Sequence, residues 1–89
     1  MSDFDWDDEK NEFLKSTRGV SFEEVVFHSQ NGDVLDIIKH PNATRYPKQN
    51  IIVLNIDGYV YLVPYVKEWG TRFLKTIIPS RKATKEYLG

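Results

Sequence analysis

The chain has no cysteine, which removes disulfide staples, thiolate metal sites and cysteine nucleophiles in one step. It also lacks a glycine-rich phosphate loop and the paired carboxylates of acid–base hydrolases. No apolar run approaches membrane-spanning length, and the acidic opening Met1-Ser2-Asp3-Phe4-Asp5 is unlike a signal peptide, which is basic and then apolar. The acids Asp7, Asp8 and Glu9 fall where a helix begins, so capping and the helix dipole account for them without a metal. These absences predict a soluble, cytoplasmic protein that uses no cofactor and no metal.

What is present is one small domain, 1–89, with 40% apolar and 13% aromatic residues. A core of this size buries roughly 60% of the unfolded surface, so stability is modest and a partner that covers apolar surface adds to it. Charge is unevenly distributed. Residues 1–26 hold eight acids against three bases, −5, while residues 39–89 hold nine bases against three acids, +6. Two readings follow: solvated faces of opposite sign, or a basic region that steers a polyanion.

Helical signals dominate the acidic end. Asp7 or Asp8 caps a first helix to about Lys15, with Trp6, Lys10, Phe13 and Leu14 on one side, and Arg18-Gly19 ends it. Ser21-Phe22-Glu23-Glu24 is a capping box, predicting a second helix from Phe22 to about Ser29. The period then becomes strand-like: Val34–Ile38, Ile51–Ile56, Tyr59–Val66 and Thr71–Ile78. A proline-held loop spans 40–47, Asp57-Gly58 is a two-residue hairpin turn, and Lys67-Glu68-Trp69-Gly70 makes a second turn. A short helix follows Pro79. The fold class expected is α+β: two N-terminal helices packed on a four-stranded antiparallel meander, with a short C-terminal helix.

Register divides the sheet into two faces. One carries Ile52, Leu54, Ile56, Tyr59, Tyr61, Val63, Tyr65, Arg72, Leu74, Thr76 and Ile78, and its tyrosines and arginine suit an open binding surface, with Tyr65 opposite Arg72. The other carries Val53, Val60, Leu62, Phe73 and Ile77 and suits packing against helices. Beyond the last strand, Ser80-Arg81-Lys82-Ala83-Thr84-Lys85 forms a cationic junction fit for phosphate.

Three separated segments resemble the BrnT family: Phe4-Asp5-Trp6-Asp7 with Lys10, Gly19-Val20-Ser21-Phe22-Glu23-Glu24-Val25, and Ile77-Ile78 followed by Ser80-Arg81-Lys82-Ala83-Thr84 and Tyr87. These proteins are toxins of type II toxin–antitoxin modules. The resemblance implies a RelE-like fold, metal-free RNA cleavage, inhibition of translation and a hetero-oligomer with a BrnA-like antitoxin. Operator DNA would be met only through that antitoxin. Arg81 matches the family's final arginine, whereas Thr76 stands where an earlier one is usual. Arg72 is the nearest strand cation on that face.

Metal-free cleavage requires a base for the ribose 2′-hydroxyl and cations for the developing charge. Arg72 and Arg81 suit the charge, and His40 or Tyr65 the proton transfer. Arg45, Lys48, Tyr61, Lys75, Lys82 and Lys85 are the candidate RNA contacts, and Trp69 the candidate antitoxin contact. The alternative is a catalytically impaired partner, active only inside a toxin–antitoxin complex that represses its own operon. His28 reads as structural.

Overall fold

Capping sets where each helix starts in the computed structural model, which describes residues 3–89. The Asp7 carboxylate accepts the Glu9 and Lys10 amides and opens α1 (Asp8–Arg18), which Gly19 closes at φ 68°. A left-handed residue there favours glycine because any Cβ would crowd the carbonyl. The Ser21/Glu24 capping box is complete and opens α2 (Phe22–Gln30). Both helices outlast the apolar pattern, α1 by one turn, because polar Ser16, Thr17 and Arg18 extend it without adding to the core.

The strands are β1 (Phe4–Asp5), β2 (Val34–Lys39), β3 (Gln49–Ile56), β4 (Tyr59–Glu68), β5 (Thr71–Leu74) and β6 (Ile78–Pro79); α3 (Arg81–Leu88) follows. They form one six-stranded sheet in the order β1-β5-β4-β3-β2, with β6 also paired to β4. The four-stranded antiparallel meander is therefore corrected to a mixed sheet. Phe4 and Asp5 add a parallel edge beside Arg72 and Phe73, a pairing too short to leave a periodic signal.

The Asp57-Gly58 hairpin sets Ile56 opposite Tyr59 and Ile52 opposite Val63, as its sequence predicts. The next hairpin is tighter than predicted. Trp69 and Gly70 alone turn the chain, at φ 54° and 82°, so Lys67 lies opposite Arg72 and Tyr65 opposite Leu74. Lys75 continues that ladder through its amide to the Pro64 carbonyl. From Tyr65↔Leu74 to Leu62↔Ile78, three steps along β4 are met by four along the partner chain. The extra residue is a bulge, and it turns Ile77 to the opposite face from the one its parity predicts.

Both faces of the sheet are covered. Against α1 and α2 lie Ile52, Leu54, Ile56, Val63, Tyr65, Leu74 and Ile77, with Leu14, Phe22 and Val25 completing this core. Leu14 and Phe22 are fully buried, each stabilising by roughly 1.5–3 kcal/mol. The face expected to be open is thus the main core. Tyr65, at 6% exposure, lies inside it, because its register puts it on the face that α1 and α2 cover. On the other face Val53, Val60 and Leu62 pack against Ala83 of α3. The α3 start is pinned there by two bonds to one residue: Ser80 N–H donates to the Val60 carbonyl and Val60 N–H to Thr84 Oγ1. Among the described residues no helix is long and apolar enough to cross a membrane.

Candidate nucleic-acid interface

The loop between β2 and β3 combines cations with aromatic residues. No acid occurs between Asp36 and Asp57, and Lys39, Arg45 and Lys48 all fall in that interval. Two prolines restrict the loop, and His40 N–H donating to the Gln49 carbonyl closes its base. Inside it, the Tyr46 amide donates to the Asn42 carbonyl at 2.9 Å, and the Asn42 side chain accepts the Arg45 amide at 3.2 Å. Asn42 thereby folds a helical turn in place of a free loop.

That turn brings three candidate side chains together. His40 and Tyr46 have ring centroids 4.6 Å apart, and the Arg45 guanidinium lies 5.5 Å from the Tyr46 ring centre. Asn42 N–H donates to His40 Nδ1 at 3.0 Å. An acceptor role for Nδ1 leaves the ring hydrogen of the neutral imidazole on Nε2, which then serves as a hydrogen-bond donor. Lys39, Arg45 and Lys48 are exposed, and Tyr46 and His40 are half-buried. Arg45 beside the Tyr46 ring offers a cation to phosphate and an aromatic face to a base.

The remaining predicted residues do not join this cluster. Arg72 stands over the Phe4 ring at 4.9 Å, three strand positions from β2, about 14 Å across the sheet. Arg81, Lys82 and Lys85 are exposed on α3, which covers the face opposite the one where Phe4 packs. Lys75 is exposed, with its ammonium 5.3 Å from the centre of the Phe73 ring. Tyr61 lies beside Tyr59 at 5.6 Å; burial first, then the nearby Glu24 charge, raises its pKa and keeps the phenol neutral. Of the four residues proposed for cleavage, only His40 belongs to the loop cluster.

Trp69 is fully exposed at the rim of a shallow cleft of about 270 Å³ lined by Asp5, Glu68, Thr71 and Phe73. Its carboxylates repel phosphate, so this cleft suits a basic or neutral partner rather than RNA. Sequence reasoning missed Tyr46, Asn42 and Lys39. The signal was available in the acid-free run His40-Pro41-Asn42 to Arg45-Tyr46-Pro47, where asparagine opens a turn between two prolines. His28, near the end of α2, has its Nδ1 2.7 Å from Asp33 Oδ2. No group of three or more His, Cys, Asp or Glu able to hold a metal occurs among the described residues. Comparison with protein-family models, curated proteins and solved structures gives no match.

Proposed function

We propose that this chain is the RNA-binding half of a type II toxin–antitoxin pair, holding single-stranded RNA on the loop 39–48 and neutralised by a BrnA-like antitoxin. The carrying observation is the close grouping of Arg45, Tyr46 and His40 within an acid-free, cationic segment. Tyr46 offers a base a stacking surface contributing about 1–3 kcal/mol, and Arg45, Lys48 and Lys39 neutralise phosphates. His40 Nε2–H donates to a phosphate oxygen. The toxin–antitoxin context rests on the three BrnT-like segments. Two helices on one face of a largely antiparallel sheet, followed by a cationic turn into a last helix, suit a RelE-like fold.

Between cleavage and binding, the geometry favours binding. A base for the 2′-hydroxyl needs an unprotonated nitrogen facing the substrate, yet Nδ1 of His40 is taken by Asn42. Arg72 and Arg81, suited to charge stabilisation, stand on different faces of the sheet. This supports the noncatalytic partner over the endoribonuclease.

Fluorescence anisotropy with a labelled single-stranded RNA, repeated over a salt series, tests the reading. Arg45→Ala and Lys48→Ala should each weaken binding and flatten the slope of log K against log salt by about 0.7. Tyr46→Ala should weaken it about tenfold with the slope unchanged. No RNA binding at about 50 mM salt, or binding indifferent to all three changes, overturns the proposal. RNA degradation by the purified chain that His40→Ala abolishes would establish the endoribonuclease instead.

A further inference from the structure

The outer edge of β2 is unpaired in the sheet order, and Leu35, Ile37 and Ile38 are exposed on it at 37%, 49% and 36%. An open edge of this composition pairs with another strand unless something blocks it. Its backbone orientation can be read directly. His40 N–H donates inward to Gln49, so even-numbered residues from Asp36 face β3 and Ile37 and Lys39 face outward. Ile37 N–H agrees, since its acceptor is the Asp36 carboxylate at 2.8 Å rather than a strand. The other oxygen of that carboxylate accepts the Tyr87 hydroxyl at 3.0 Å.

We infer that this edge pairs with the same edge of a second copy, antiparallel about a two-fold axis through Ile38, to give a continuous sheet across a dimer. Charge selects self-pairing. The segment is acidic at its start, with Asp33 and Asp36, and basic at its end, with Lys39 and His40. Antiparallel alignment sets each acidic end on the other copy's basic end.

The two-fold also selects the register. A perpendicular axis keeps each face on its own side, so opposed residue numbers must sum to an even value. Centring on Asp36 opposes two carboxylates, and centring on Lys39 opposes two ammonium groups. Centring on Ile37 sets Asp36 against Ile38. Centring on Ile38 sets Ile38 on Ile38, exchanges backbone bonds between Ile37 and Lys39, and places Asp36 opposite His40 at both ends. Ile37 N–H then donates to the second copy's Lys39 carbonyl. The released Asp36 oxygen accepts His40 Nε2–H, the nitrogen that the Asn42 bond leaves protonated. Each bond lost inside one chain is replaced by one between chains.

The dimer and the RNA complex compete for His40 Nε2–H, so each is read by its own measurement: mass and cross-linking for the dimer, anisotropy for RNA. Sedimentation of the full chain between about 10 µM and 1 mM, the range of a small interface, should take its mass from monomer to dimer. The absence of native cysteine makes a single introduced thiol an unambiguous reporter. Ile38→Cys, oxidised with diamide, should become mostly disulfide-linked dimer, because non-hydrogen-bonded partners lie within disulfide reach. Ile37→Cys, whose image is offset by two residues, should stay mostly monomeric. Far-UV circular dichroism confirms that each variant is folded. A monomer at every concentration, assembly beyond a dimer, or faster linkage of Ile37→Cys than of Ile38→Cys overturns the inference.

Discussion

The Asn11 side-chain oxygen accepts the Phe22 backbone N–H at 2.8 Å, so a buried residue of α1 caps the first turn of α2. Its amide nitrogen donates to Glu23 Oε1, also at 2.8 Å. One residue, 3% exposed, thus links the two helices that lie over the main core.

Asn11→Ala should lower unfolding stability by about 1–3 kcal/mol, since it strands the Phe22 amide away from water. Urea denaturation measures the loss. The same change should move the Glu23 carboxyl. Hydrogen bonding from Asn11 is the first cause holding its pKa below the ordinary carboxylate value. A depressed carboxyl stabilises the fold above its unfolded pKa and loses that contribution as pH falls through its folded one. The stability gap between parent and Asn11→Ala should therefore narrow on acidification, and an NMR titration should find the Glu23 pKa raised in the variant.

Ile77 and Ile78 are adjacent but differently placed, one fully buried and one 40% exposed. Ile77→Ala should cost about 2–5 kcal/mol, the range of a core truncation, and Ile78→Ala under about 1 kcal/mol. Equal losses in thermal or urea unfolding would contradict the bulge between β5 and β6.

Trp69 has left-handed backbone and its side chain is fully exposed. Trp69→Gly should therefore raise stability by about 1 kcal/mol, since it relieves the Cβ conflict while giving up no buried surface. A midpoint unchanged or lowered in urea would count against that turn geometry.

The helix starts and the first hairpin were legible because each depends on residues close in sequence: Asp7, the Ser21/Glu24 box, Asp57-Gly58. Face assignment failed for a different reason. Alternation separates Tyr65 from Val66 but carries no information about which side a helix covers, and here helices cover both. The tight second turn was hidden because tryptophan is an unusual residue for left-handed backbone. The bulge escaped because one extra residue leaves no trace in composition. Of the site, His40, Arg45 and Lys48 were visible as residue types. The grouping of His40 and Arg45 about Tyr46 was not, because it depends on a turn that Asn42 folds through two hydrogen bonds.

The parallel pairing of β1 with β5 has a consequence for how the chain is made. Arg72 leaves the ribosome 68 residues after Phe4, yet the two lie side by side. The β1–β5 edge must therefore wait until β5 has been synthesised, and a contact of such long sequence separation closes late and slowly. A nascent chain halted within β4 would carry α1 and α2 already formed, with Phe4 and Asp5 still waiting for the strand beside which they belong.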